Sequence, residues 1–181
     1  MRLISLTQNS WILRFGELGL KSKPVRSGFQ KALRRNLEQL AINSNTPMIH
    51  ELIRQQEIIS SDAPIAVVED LLCHILGIVA LDRIVVLCEE LTPSVVAKSF
   101  LSRDKKAGIA RTFGVRVRRV GENKDWNSQT YAAAVGGALI EEDDSLSVNL
   151  REPDMWIKLI MENDRVTLVE ERVKGAGGLP A

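Results

Sequence analysis

Between Trp11 and Leu87 the spacing of apolar residues switches repeatedly between the two-residue period of a strand and the 3.6-residue period of a helix. The order of those switches leaves few folds open. Trp11-Ile-Leu-Arg-Phe15 is a short β-rich run stopped by Gly16. From Pro24, a good first-turn residue, Val25, Phe29, Leu33, Leu37 and Leu40 recur at helical spacing. Asn43 to Pro47 reads as a loop, and the runs Met48 to Ile53 and Glu57 to Ser60 flank Arg54-Gln-Gln56 as a hairpin. Asp62 is placed to cap a second helix, Pro64 to Ile75, with Val67, Val68, Leu71, Leu72 and Ile75 inward. Gly77 ends that helix before the β-branched run Ile78 to Leu87. The resulting order, βαββαβ, closes as a ferredoxin-like layer of helices on an antiparallel sheet.

Glu89-Glu90-Leu91 marks a boundary. Thr92-Pro93 then pairs an N-cap with a first-turn proline, and Val95, Val96, Phe100 and Leu101 supply the buried stripe of a third helix. Phe113-Gly-Val-Arg-Val-Arg-Arg-Val120 alternates apolar and basic residues, as a half-exposed strand does. A fourth helix follows Asn127 or Ser128, and its small residues Ala132, Ala133, Ala134, Gly136, Gly137 and Ala138 suit close packing on a sheet. Leu146 to Leu150, Met155 to Met161 and Val166 to Val173 read as three more strands. The expected fold class is α+β: a ferredoxin-like domain over 1–88, an α/β domain over 89–174, and the start of a linker at 175–181.

The composition, 45% hydrophobic and 26% charged, excludes disordered and collagenous chains. No window approaches a membrane span and Met1 to Ser10 lacks a signal-type apolar stretch, so a cytoplasmic protein without a membrane partner is expected. The formal net charge of +1 argues on its face against a nucleic-acid partner. It is an average over opposed segments. Arg14 to Arg35 holds seven bases against one acid, Lys98 to Lys124 nine against two, and Glu141 to Arg172 four against ten. With a Debye length of about 8 Å at physiological salt, acids on a distant face leave a basic patch intact. Lys21 and Lys23 precede the first helix, Arg26, Gln30 and Arg34 share one of its rows, and Arg116 and Arg118 share one strand face.

Chemistry-bearing constellations are sparse. Cys73 and Cys88 sit among apolar residues without a C-x-x-C pairing, and His50 and His74 are too separated to form a metal site with them. Cys73 and His74 are adjacent, so on a helix they point to different faces, which disfavours a nucleophile and its base. Trp126 and Tyr131 occupy the positions of a hydrophobic staple around an Asn127 N-cap, a role favoured over the alternative of Trp126 stacking on a nucleobase. Gly175-Ala-Gly-Gly178 lacks the Lys-Ser/Thr of a Walker loop and reads as a flexible joint. No catalytic residue, metal ligand or cofactor site is assigned to the chain.

Leu13-Arg-Phe-Gly-Glu-Leu-Gly-Leu-Lys21, followed by a basic helix, resembles the opening of the tRNA 4-thiouridine synthase family, the ThiI-type sulfurtransferases. Phe113-Gly-Val-Arg-Val-Arg-Arg119, Asn127-Ser128 with Val135-Gly-Gly137, Val148-Asn-Leu-Arg-Glu-Pro-Asp154 and Val169-Glu-Glu-Arg172 are similar to a THUMP domain, whose match to the family begins near residue 60. Lys174-Gly-Ala-Gly-Gly-Leu-Pro180 resembles the segment joining THUMP to a catalytic domain. The resemblance implies a module that grips the acceptor stem and 3′ end of tRNA. It implies also a partner, in cis or in trans, carrying a pyrophosphatase loop of the Ser-Gly-Gly-x-Asp-Ser type and a catalytic cysteine, for ATP-dependent tRNA sulfur transfer. Neither is found before Ala181, so a piece of such an enzyme and a free-standing adaptor that presents tRNA to another modifying enzyme are both expected readings. A homodimer is compatible with the sequence. The expected RNA contacts are Arg14, Lys21, Lys23, Arg26, Arg116, Arg118 and Arg119, with Lys98, Lys105 and Lys106 further out.

Overall fold

The protein is described here by a computed structural model covering residues 9–16, 22–54 and 56–178. Along the chain run β1 (Asn9–Phe15), α1 (Lys23–Asn43), β2 (Ile49–Ile53), β3 (Gln56–Ser61), α2 (Ile65–Cys73) and β4 (Ile78–Cys88). There follow α3 (Pro93–Leu101), β5 (Arg111–Arg119), α4 (Ser128–Glu142), β6 (Leu146–Val148), β7 (Met155–Met161) and β8 (Val166–Lys174). The chain forms two compact units, one of residues 1–84 with 170–181 and one of residues 85–169. The last strand thus returns its second half to the first unit.

In the first unit the strands lie in the order β2-β3-β1-β4, every neighbour antiparallel, as βαββαβ requires. Trp11 and Leu13 share one face of β1 and pack with Ile59, Leu33 and Leu37 of α1, and Val68 and Leu72 of α2, while Ser10 and Ile12 on the other face are buried as well. Phe15 and Phe29 meet edge to face, their centroids 4.9 Å apart. Two expected core positions are exposed. Val25 is 53% accessible because residues 24–28 are all solvent-facing and α1 reaches the sheet only from Phe29 onward. Val67 is 44% accessible because the buried stripe of α2 runs through Val68 and Leu72, one helical step of about 100° away. Asp62 does not cap α2. Pro64 takes that position, and the preceding turn is closed by Ser61 Oγ, which accepts from Ala63 N–H and donates to the Pro47 carbonyl at 2.6 Å.

The glycine run after β8 is fastened where a loose joint was expected. Gly175 N–H donates to Val79 O (3.0 Å), Ala176 N–H to Cys73 O (2.8 Å) and Gly177 N–H to Ile78 O (2.8 Å), while Gly77 N–H returns a bond to Gly177 O (2.8 Å). A Cβ on Gly175 would sit 2.3 Å from the Ile78 carbonyl oxygen, so glycine is needed there for backbone approach.

In the second unit β5 is flanked by β6 and β7, both parallel to it, and β7 pairs antiparallel with β8. Phe113, Ile157, Leu159, Leu146 and Leu168 form the face under α3 and α4, meeting Val96, Ala97, Val135 and Leu139. Gly136 lets α4 settle on β5, its missing Cβ falling 3.9 Å from Val115 and 4.0 Å from Phe113. Asn127 caps α4 by accepting from Gln129 and Thr130 N–H at 2.9 Å, and Thr130 Oγ1 answers to the Asn127 N–H. Trp126 and Tyr131 close the staple edge to face at 5.2 Å, and Tyr131 Oη donates to Leu91 O at 2.9 Å. Burial, then Cys88 and Glu90, push that phenol's pKa up.

Candidate nucleic-acid interface

Alternation on β5 sends Phe113, Val115 and Val117 to the helices and leaves Gly114, Arg116 and Arg118 on the opposite face. The parallel register with β7 sets Gly114 beside Trp156, Arg116 beside Lys158 and Arg118 beside Ile160. Gly114 makes room for an aromatic ring. A Cβ there would lie 2.4 Å from Cζ3 and 2.8 Å from Cε3 of Trp156, so the indole lies against bare backbone. The guanidinium carbon of Arg116 then stands 3.7 Å from the centroid of the Trp156 ring, a cation–π stack that holds an otherwise mobile side chain in one place. Arg116, Arg118 and Lys158 are exposed, and Trp156 is half-buried. The expectation of a basic strand face at Arg116 and Arg118 is met in placement. Trp156 and Lys158 lie with them and were not foreseen; a glycine inside an alternating strand, facing an aromatic of another strand, was the signal available for Trp156.

The other expected cations divide. Arg14 Nε bonds Asp82 Oδ2 at 2.6 Å, and Arg172 holds the same carboxylate through Oδ1 at 2.6 Å and Oδ2 at 2.9 Å. Asp82 is itself 1% accessible in its side chain. Burial opposes its ionisation, but the hydrogen bonds and charges of Arg172 and Arg14 outweigh that and keep the carboxyl below the usual aspartate range. Arg14 is therefore a partner of Asp82 before it is a partner of anything else. Arg26, with Lys31, Arg34 and Arg35, is exposed on α1, whereas Gln30 of the same row turns in to donate to Glu57 Oε1 at 2.9 Å. Lys21 lies outside the described residues. Lys23 is the first residue of α1.

Lys98 reaches Glu142 at 3.4 Å, and Lys105 and Lys106 are exposed in the turn between α3 and β5. That turn is rigid. Asp104 pairs with Arg111 and accepts from Lys106 N–H at 3.0 Å, and Arg111 also donates to the Lys106 carbonyl at 3.0 Å. Arg119 is exposed and its Nη1 lies 3.5 Å from Asn123 O. The charge excess of the second basic segment is accordingly smaller on the surface than in the sequence, since Lys98 is paired with Glu142 from outside the segment, whereas the Arg111–Asp104 pair lies within it and leaves its sum unchanged.

The thiols are held in the protonated form at neutral pH. Burial, then Glu69 and Asp70, raise the Cys73 pKa; burial above all raises that of Cys88, whose Sγ donates to Glu90 O at 3.2 Å. Among the described residues no three His, Cys, Asp or Glu side chains gather as a metal site would need. No described helix is long and apolar enough to cross a membrane.

Comparison with known proteins follows the same division. Residues 89–169 match the THUMP domain family. The tRNA sulfurtransferase of Shewanella piezotolerans is 30% identical over 171 residues, covering 92% of this chain and 35% of the relative. The fold resembles that of PH1313 from Pyrococcus horikoshii, with a TM-score of 0.74 at 24% identity over 95% of this chain and 57% of that one. It also resembles a 4-thiouridine synthetase solved with RNA and bound ATP, with a TM-score of 0.65 at 24% identity over 96% of this chain and 44% of that one. This is a THUMP-containing α+β protein. Over most of its length the chain is similar to one region of tRNA sulfurtransferases, and it spans about a third of the length of the curated relatives it matches.

Proposed function

We propose that this chain binds tRNA, holding the acceptor stem and 3′ end by shape and phosphate contacts, and so presents the RNA to a catalytic pyrophosphatase-loop domain. The observation that carries the reading is the basic face of β5 and β7, where Arg116 and Lys158 stand in register beside a stacked Trp156. The likeness to tRNA sulfurtransferases supplies the class of polyanion. A-form RNA hides its base edges in a narrow major groove, so cations on a rigid sheet suit its backbone better than its sequence. Lys105, Lys106, Arg119 and Arg26 extend the contact, and Arg118 adds to it from the strand that carries Arg116. Lys21 and Lys23 are proposed contacts by resemblance alone.

The test is fluorescence anisotropy of labelled tRNA from low to physiological salt. The seven cations named from the structure predict a slope of roughly −6 in log affinity against log salt, about −0.9 for each phosphate contact. Arg116→Glu with Arg118→Glu weakens binding while the thermal unfolding curve stays in place. Absent or salt-independent binding contradicts the reading.

A further inference from the structure

We infer that residues 170–178 are a rigid mount: they clasp the first unit and so fix the point from which a catalytic domain in cis departs. The inference rests on the proposed presentation of tRNA to such a domain, and it adds what positions that domain. The basic face of β5 and β7 belongs to the second unit, whereas the run 170–178 belongs to the first. Charge holds this run on both faces of its sheet neighbour β4. Asp82 and Arg83 are consecutive strand residues, so their side chains leave β4 on opposite faces. On one, Asp82, 1% accessible in its side chain, takes Arg172 through Oδ1 at 2.6 Å and Oδ2 at 2.9 Å. On the other, Arg83 pairs with Glu171 at 2.6 Å and Glu170 at 3.4 Å, while its Nη1 donates to Glu69 Oε1 of α2 at 3.1 Å. Trp11 Nε1 donates to the same Glu69 oxygen at 3.0 Å, which ties the cluster to β1. Loosening either clasp leaves a partly buried charge without its partner, a larger penalty than a surface pair carries. Val173 then packs against the core of the unit.

Beyond Lys174 the backbone takes over. Gly175, Ala176 and Gly177 donate to Val79, Cys73 and Ile78, and Gly77 donates back to Gly177. Gly77, Gly177 and Gly178 hold φ of 97°, 70° and 75°, the left-handed region that favours glycine. A loose tether would need only length, and its N–H groups would be left to water. Here successive N–H groups are all used, and Gly175 has no room for a side chain against the Ile78 carbonyl. Freeing residues 174–178 would let a tethered domain wander by about 12 Å more. Catalysis tolerates far less, since misplacing reacting groups by about 1 Å can cost about 100-fold in rate.

Hydrogen exchange on the intact chain reads the clasp directly. The Gly175, Ala176 and Gly177 amides should exchange on the order of 100-fold or more slower than in an unstructured peptide. Gly175→Ala or Arg172→Gln should speed them, while β5 and β7 stay protected and tRNA affinity holds. Sulfur transfer by the protein with its catalytic domain in cis supplies the functional arm. A Gly-Ser-Gly-Ser insertion after Gly178 leaves every clasped residue in place. It should keep their protection and the KM for tRNA, and lower kcat on the order of 10-fold or more. Exchange at the rate of a free peptide overturns the mount, as does an insertion that leaves kcat unchanged, or a gene with no catalytic domain after residue 181. Protected amides without tRNA binding uphold the rigid run and overturn the presentation of tRNA.

Discussion

At the scale of single residues, Asp82 shows how a basic sequence is partly consumed by its own fold. Its carboxylate, buried between Arg14 and Arg172, has its pKa lowered, so its contribution to stability is present above the unfolded value of about 3.9 and is lost as pH falls through the folded value. Thermal unfolding between pH 7 and pH 2 should show that loss setting in below about pH 4. In Asp82→Asn the acid-dependent part shrinks, and stability at pH 7 falls by roughly 2–3 kcal/mol, less than for a fully buried pair because Arg172 is 55% accessible. Asn127→Ala, removing a cap with two N–H partners, should cost about 1 kcal/mol on the same assay. Cys73 and Cys88, both with raised pKa, should react with iodoacetamide at neutral pH far more slowly than a free thiol; prompt alkylation of the folded chain would restore a thiolate mechanism. The cap at Asn127 and the Trp126–Tyr131 staple were legible because they are local patterns within five residues. The Asp82 cluster was not, because it joins residues 68 and 90 positions apart.

At the scale of elements, helices and strands followed the apolar periods closely, from the hairpin of β2 and β3 to the βα step of β5 and α4. Periodicity failed where an element outruns its support, as Val25 does in the first turn of α1. The glycines divide in a way composition could not anticipate. Gly114, Gly136 and Gly175 mark close approaches, of a ring, a helix and a backbone in turn, and none of these partners is a sequence neighbour. Gly175→Ala therefore serves as a test of the fastened C-terminal run. Its Cβ would meet the Ile78 backbone, so a destabilisation of about 2 kcal/mol or more in chemical unfolding is expected, against a few tenths if the run were a loose joint. Gly114→Val should displace the Trp156 ring and release Arg116, lowering RNA affinity with little change in the core beneath, which a shift in tryptophan emission would report.

At the scale of the molecule, a formal charge of +1 coexists with a face of the second unit that carries three cations, Arg116, Arg118 and Lys158, with the acid Asp154 held by Thr112 at its end. Segment sums pointed to basic surfaces but overstated them, since Arg14 is engaged by Asp82 and Lys98 by Glu142, acids that lie outside their segments. The βαββαβ order was readable because each period maps onto one element, whereas the division of the chain, which sends β8 from the second unit back to the first, depends on pairing that no period reports. The central claim is that RNA is held by positioned cations on β5 and β7. Its most direct measurement is the salt dependence of tRNA affinity for the wild-type chain and for the double variant Arg116→Gln, Lys158→Gln. The account predicts a slope shallower by about 2 in the variant, one for each phosphate contact removed. Two coincident slopes, or a wild type that does not bind tRNA, would contradict it.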